Sequence, residues 1–417
     1  MKISLDKSAI KGTVSVPASK SYTIRGLMCA ALADGESHLI NPLLADDTEA
    51  AAEVLGKVGV RIIKEDNLWR IHGGKLHAPD SDLFCRDSAA TFRFMTALCA
   101  LIPGRCTLTA GSSLMKRPVR PLVNALQKLG VECSVNGEFP PVTMQGDSFQ
   151  GGQTEIAGDI SSQFISALLL IAPFEEKGMS IKLTSPLTSK PYVEMTLECL
   201  KQFGITVTET AAGFSAKKQS YHPARYVVEG DWSSASYLLA LGATAGEINV
   251  TNLNPASLQG DRIILDFLKD MGAGITAEGN NITVKRAPLL RLRANLTDCI
   301  DLLPTLAVLA AIAGGTSEFT GISRARLKES NRVAAVKDGL ERLGIEVIES
   351  ADKMTVKGGE IREAEIDAWG DHRIAMAFSI LGMVHGGVAI NGAENVGKTF
   401  PRFWDILGSI GGKLTDE

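Results

Sequence analysis

Six glycines set the period of this 417-residue chain. Gly59, Gly130, Gly204, Gly272, Gly344 and Gly411 each follow an amphipathic helical stretch and precede a short β-prone one, at spacings of 71, 74, 68, 72 and 67 residues. Apolar residues at i, i+3, i+4 and i+7 mark these helices, as in Ala51, Val54, Leu55 and Val58 or Ile264, Phe267, Leu268 and Met271. A period of this size, sustained from end to end, makes the fold an assembly of similar units rather than one large core.

Ahead of each amphipathic helix lies a second segment that is apolar on nearly every face: GLMCAALADG, FRFMTALCALIPG, FISALLLIAPFEEKG, ASYLLALGATAG, LPTLAVLAAIAGG and IAMAFSILGMVHGG. Helices of that kind are covered on all sides. With β-branched stretches such as Val14–Val16, Ile282–Val284 and Val388–Ile390 between the helices, each unit reads as strand, helix, strand, helix and further strand. The expected fold is α/β, with sheets outside buried helices and three units in each of two domains. Residues 1–12 with 227–417 are assigned to one, discontinuous domain and residues 13–226 to the other. The apolar helices open on polar clusters: ASKS, RDSAAT, GDISSQ, EGDWSS, TDCID and GDHR. If three parallel helices per domain aim their N-termini at the opposite domain, six positive dipole ends face one cleft, which then attracts anions.

Composition removes several function classes. The formal charge of −4 gives no reason to expect a nucleic-acid partner. Seven scattered cysteines without C-x-x-C spacing read as reduced core thiols. No apolar run approaches the roughly 20 residues of a membrane helix, and MKISLDKSAIKG reads as a strand, not a signal peptide. A cytoplasmic protein is expected. There is no phosphate-binding G-x-x-x-x-G-K-[ST] loop, no G-x-G-x-x-G after a strand and no G-x-S-x-G elbow, so neither a nucleotide cofactor nor an acyl-serine is expected. His372, between Asp371 and Arg373, has no partner at ligand spacing, and a capping or packing role is expected for it rather than metal binding.

What remains is a set of cations and one carboxylate. Lys20, Ser21 and Arg25 open the first apolar helix, where two cations oppose the dipole unless an anion lies between them, and Ser21 is placed to cap it. Arg117 precedes Pro118, which suits the first turn of a helix. Lys328 and Arg332 stand at i and i+4 and are expected on one helix face, with Glu329 about a quarter turn away. Arg373 and Lys398 lie in glycine-flanked text. Asp301 opens an otherwise apolar helix, where desolvation and neighbouring cations would tune its proton affinity in opposite directions. Helix capping and ordinary surface charge are the competing explanations for these residues taken singly.

Taken together the segments resemble the EPSP synthase family of enolpyruvyl transferases over essentially the whole chain. The resemblance rests on SVPASKSYTIRGLMCAALADGES, RPVRPLVNALQKLG, GDISSQFISALLL, LTSKPYVEMTL, VEGDWSSASYLLA, RLKESNR, DHRIAMAFSILG and KTFPRFW, in that order. It implies two domains of three βαβαββ units each, joined by a double hinge, with the active site in the cleft. It implies cofactor-free transfer of the carboxyvinyl group of phosphoenolpyruvate to the 5-hydroxyl of shikimate 3-phosphate, a step towards chorismate, by a monomer. By the same resemblance Lys20, Ser21, Arg25, Ser161, Ser162, Gln163, Ser189, Tyr192, Asp301 and Lys328 would hold shikimate 3-phosphate. Lys20, Arg117, Gln163, Arg332, Arg373 and Lys398 would hold phosphoenolpyruvate, Asp301 would accept the hydroxyl proton, and Glu329 or Lys20 would donate to the enol.

The chain departs from the family where Asp87-Ser88-Ala89-Ala90 stands for the common Asn-(Ala/Ser)-Gly-Thr, and where Arg324 replaces a frequent Asn. The extra methyl of Ala89 is expected to weaken glyphosate, a longer occupant of the phosphoenolpyruvate site. The nearest rival is the sister transferase acting on UDP-N-acetylglucosamine, which usually carries a reactive cysteine in the loop that here reads GSSLMKRPVR and has none.

Overall fold

The computed structural model describes residues Met1–Glu417, which divide into two compact units: Ala18–Val228, continuous in sequence, and Met1–Pro17 with Glu229–Glu417, which is not. Each unit has its own hydrophobic core. The continuous unit carries helices α1 (Lys20–Leu32), α2 (Asp46–Lys57), α3 (Ala89–Leu98), α4 (Arg120–Lys128), α5 (Ser162–Ile171) and α6 (Lys190–Gln202). The discontinuous unit carries α7 (Trp232–Ala245), α8 (Ile264–Asp270), α9 (Leu303–Ile312), α10 (Arg332–Arg342), α11 (His372–His385) and α12 (Phe403–Ser409).

Odd-numbered helices are the inner ones. Every residue of α7 is buried, and so is Leu303–Ala311 of α9. They need no polar face because helix and sheet cover them all round. Even-numbered helices are the amphipathic ones, and each ends on the same device. Two residues past each of them comes one of the six periodic glycines, with φ between 84 and 99°. The next amide then turns back to a leucine carbonyl: Val60 to Leu55 (3.0 Å), Val131 to Leu126 (3.1 Å), Ile205 to Leu200 (2.9 Å), Ala273 to Leu268 (2.9 Å), Ile345 to Leu340 (3.0 Å) and Gly412 to Leu407 (2.9 Å). Left-handed backbone at that position is costly for any residue with a Cβ, which is why glycine marks the period.

Six four-stranded sheets clothe the inner helices. In four of them the strands before and after one inner helix pair in parallel, as Leu83–Phe84 and Arg105–Thr109 do around α3, and in all six two antiparallel strands extend the edge. The chain exchanges strands where it passes between units. Ile10–Ser15, which leads into α1, pairs with Gly246–Thr251 after α7. Arg225–Val227, which leads towards α7, pairs with Gly35–Ile40 after α1. The discontinuous unit therefore keeps residues 13–17, which the sequence reading had given to the other domain, and the continuous unit keeps residues 227 and 228. Lys2–Asp6 fills the third place in the last sheet, between Val388–Asn391 and Lys413–Asp416, so the first strand completes the sixth unit.

All seven cysteines are free thiols; six are buried, and Cys133 is partly so. No helix is long and apolar enough to cross a membrane.

Candidate functional site

In the continuous unit the N-termini of α1, α3 and α5 are tied together by polar side chains. Ser19, not Ser21, caps α1, accepting from the Tyr22 amide, and Ser21 falls in the first helical turn. Lys20 is the first residue of α1, and its ammonium reaches Asp47 Oδ2 at 2.9 Å. Asp47 starts the buried side of α2, and its backbone carbonyl accepts from Ser88 Oγ (3.1 Å), the residue before α3. Ala89 is therefore the first residue of α3, and it is buried.

Arg93, one turn into α3, donates from one terminal nitrogen to Ser161 Oγ (3.2 Å) and Gln163 Oε1 (2.8 Å) at the start of α5, and lies over the Phe164 ring at 4.9 Å. Ser162 is the first residue of α5. Arg25 is buried and fully engaged: Nε on Thr196 Oγ1 (2.8 Å), the terminal nitrogens on the carbonyls of Ser21 (3.0 Å) and Tyr192 (2.9 Å), and the guanidinium 5.3 Å from the Phe94 centroid. Burial lowers its proton affinity, and nearby Cys199 and tyrosine groups oppose that effect. Ser189 precedes α6 in left-handed backbone (φ 52°), a conformation a serine adopts only where its surroundings impose it.

Arg117 is buried, and its Nε has no partner in the protein. A buried guanidinium nitrogen left unsatisfied suits a site that receives an acceptor from elsewhere. Pro118 does not open a helix. The next helix, α4, starts at Arg120 with Pro121 in its first turn, and Arg117 closes the short 3-10 turn Leu114–Lys116.

The discontinuous unit gathers the N-termini of α7, α9, α10 and α11. Asp301 sits in the 3-10 turn Ile300–Leu302 that leads into α9. Arg332 meets it at 2.6 Å, Lys328 at 3.2 Å and Arg373 at 3.3 Å. Burial pushes the Asp301 carboxyl towards protonation, yet the charges of Arg373, Lys328 and Arg332 outweigh it and hold the group well below the usual carboxylate range. Arg332 is 1% exposed. Each of its nitrogens finds a carboxylate: Nε on Asp371 (2.7 Å), one terminal nitrogen on Asp301 (2.6 Å) and the other on Glu329 (2.6 Å). Burial works against its charge, and those carboxylates win, raising its proton affinity.

Lys328 and Arg332 do not share a helix face, as their spacing had suggested. Lys328 follows the 3-10 turn Ser323–Leu327, Asn331 caps α10, and Arg332 is its first residue. Lys328, at the bend ahead of α10, and Arg332, at its first position, converge on Asp301. Asp371 caps α11 through the Arg373 amide (3.0 Å). His372 is its first residue, wholly buried, with Nδ1 3.6 Å from Asp371 Oδ1. Arg373 also donates to Tyr237 Oη at 3.4 Å. Lys398 ends the 3-10 turn Ala393–Lys398, which packs on α11. Arg324 donates to the carbonyl of Thr297, just ahead of the Asp301 turn.

Sequence reasoning passed over Asp47, Arg93, Asp371 and Tyr237. Arg93 had a legible signal, a lone arginine inside the apolar run FRFMTALCAL. Asp47 had none, standing in an acidic first turn like any surface helix.

The charges differ between units. In the discontinuous unit three cations (Lys328, Arg332, Arg373) face three carboxylates (Asp301, Glu329, Asp371). In the continuous unit Lys20 pairs with Asp47, while Arg25 and Arg93 donate to hydroxyl, backbone carbonyl and side-chain amide oxygens. Lys20, Arg332 and Arg373 lie in the first turns of α1, α10 and α11, where anions are favoured.

Six-unit α/β architecture with cations and carboxylates gathered at inner-helix N-termini defines a known class of transferase. The structure superposes on EPSP synthase from Acinetobacter baumannii with a TM-score of 0.84, covering 100% of both chains at 26% identity. The family described as EPSP synthase (3-phosphoshikimate 1-carboxyvinyltransferase) matches residues 5–407. A 3-phosphoshikimate 1-carboxyvinyltransferase of Dehalococcoides mccartyi is 49% identical, with 100% of each chain covered. One from Methanothermobacter thermautotrophicus is 39% identical over 99% of each. The chain belongs to the EPSP synthase family.

Proposed function

We propose that this enzyme transfers the carboxyvinyl group of phosphoenolpyruvate to the 5-hydroxyl of shikimate 3-phosphate, releasing phosphate, in the shikimate pathway. The observation that carries the chemistry is the convergence of Lys328, Arg332 and Arg373 on Asp301. Protonation of the enol methylene makes C2 electrophilic, the hydroxyl adds, and reversal of the proton transfers expels phosphate. That sequence needs a base at the hydroxyl, an acid at the methylene and cations on the leaving phosphate.

Asp301 is assigned as the base. In the structure its cations suppress its proton affinity. Those cations are the ones assigned to the substrates: Lys328 to shikimate 3-phosphate, Arg332 and Arg373 to phosphoenolpyruvate. Anionic substrates that draw them away leave Asp301 desolvated with less positive charge beside it, and its basicity rises when both substrates are in place. Glu329 and Lys20 are the candidate acids. Glu329 pairs with Arg332 and Lys20 with Asp47, so each would exchange its partner for substrate before it donates.

In the continuous unit we assign Ser21, Arg25, Ser161, Ser162, Gln163, Ser189 and Tyr192 to shikimate 3-phosphate, and Lys20, Arg117 and Gln163 to phosphoenolpyruvate, with Lys398 of the discontinuous unit as a further phosphate contact. The unsatisfied Arg117 Nε supports its part in this. Release of phosphate from phosphoenolpyruvate is the deciding assay. It should require shikimate 3-phosphate, and release with UDP-N-acetylglucosamine instead would overturn the substrate assignment.

A further inference from the structure

Asp261 is a buried carboxylate that the mechanism above does not use. It lies in the 3-10 turn Gly260–Ile263 ahead of α8 and is 2% exposed. Its Oδ2 accepts from Ser233 Oγ, in the first turn of α7, while Oδ1 is buried without any partner in the protein. A half-satisfied carboxylate is an expensive thing to keep in a core. One turn further along α7, Tyr237 contacts Arg373 through its hydroxyl. Ser233 is in hydrogen-bond contact with Asp261, and the charges that act on it come from Asp231 at the start of α7, Asp301 in the approach to α9 and Arg373 in α11, with the Cys299 thiol feeling Asp261 in turn.

We propose that Asp261 is a positioning residue of the site in the discontinuous unit, setting by its charge how readily Asp301 accepts a proton and how strongly Arg373 holds an anion. The inference rests on the roles assigned to Asp301 and Arg373 above. Two carboxylates in one neighbourhood are driven apart in proton affinity: Asp301 is held ionised by its cations, whereas Asp261 is pushed up to about 6, by burial first and then by the charge of Asp301. Asp261 is therefore neutral in mild acid and ionised in mild base. Ionised, it raises the basicity of Asp301 and offsets part of the positive charge of Arg373. Neutral, it does neither.

Asp261→Asn fixes the uncharged form. The measurement is kcat and KM for phosphoenolpyruvate across about pH 5 to 8, expressed as variant over wild type so that titration of the substrates cancels. Both ratios should approach unity at the acid end. Above neutrality kcat and KM should fall together in the variant, each by roughly threefold to tenfold. A purely structural residue would give ratios independent of pH, and that result overturns the proposal. Ser233→Ala supplies a second reading where Asp261→Asn folds poorly. It removes the hydrogen bond that favours the ionised form, so Asp261 titrates higher and the ratios should dip below unity in a window above about pH 6 and return to unity on either side; ratios flat across the range overturn the proposal. Wild-type protein inactive with both substrates defeats the functional assignment itself, whereas an active wild type with flat ratios defeats the Asp261 inference alone.

Discussion

Arg332 and Asp301 meet at 2.6 Å in the interior of the discontinuous unit, where Arg332 is 1% exposed. Arg332 has almost no water to fall back on and Asp301 has little. Each is solvated by the other and by the remaining members of the cluster, so the site is a structural element of this unit as well as its chemistry.

Asp301→Asn should reveal both roles. It leaves Arg332, Arg373 and Lys328 short of an anion, and loss of one partner from a buried pair costs about 3–5 kcal/mol. A lower urea midpoint at neutral pH would show it. Because the folded-state carboxyl is held below its ordinary value, the unfolded chain binds the extra proton. Its contribution is thus complete above the ordinary carboxylate range and is lost as pH falls towards the folded-state value. The gap between wild type and variant should narrow in acid, while turnover falls by roughly 10²–10⁴ at neutral pH.

Arg93→Lys should separate fork geometry from charge. The ammonium keeps the charge but cannot reproduce the guanidinium geometry that serves Ser161, Gln163 and the Phe164 ring together. KM for shikimate 3-phosphate should rise about tenfold, corresponding to about 1.4 kcal/mol, with a smaller change in kcat. Steady-state kinetics with each substrate varied in turn checks this.

Gly272→Ala probes the repeat device. The backbone there has φ 91°, and an added Cβ would meet nothing closer than the Pro288 carbonyl oxygen at 3.7 Å. No steric clash results, and the cost is conformational, about 1–2 kcal/mol. Equilibrium denaturation should register that loss, with Gly272→Asn losing less.

Ala89→Gly tests the consequence of the departure at Asp87-Ser88-Ala89-Ala90. Ala89 is the first residue of α3 and is buried. If its methyl overfills the space glyphosate needs, removing it should recover about 1–3 kcal/mol of inhibitor binding. The inhibition constant should fall by one to two powers of ten, and an unchanged constant would show that the methyl is not the obstacle.

Local chemistry made much of the fold legible. Gly59, Gly130, Gly204, Gly272, Gly344 and Gly411 stand out in the sequence because only residues tolerant of positive φ can occupy the place after an amphipathic helix, and all six have it. The apolar helices declared their burial because nothing else explains nine successive buried positions in α9.

Details of the ends were less legible. Ser19 and Ser21 are both adequate caps by composition, and which one precedes the first helical residue depends on how the incoming strand is anchored. Lys328 and Arg332 have helical spacing, but Asn331 captures the Ala334 amide and starts the helix late. That is a local competition the four-residue rule does not weigh.

By itself, then, the sequence determined the number of units, the alternation of buried and amphipathic helices, and a roster of cations that cannot all be scaffolding. Tertiary structure alone decided which carboxylates those cations meet. It brought Asp47 to Lys20, Asp371 to Arg332 and Tyr237 to Arg373 across gaps of 27, 39 and 136 residues. The physical reason is that helical periodicity is a property of neighbours, written over a few residues, whereas a buried charge is satisfied by whatever the packing of distant helices delivers to it.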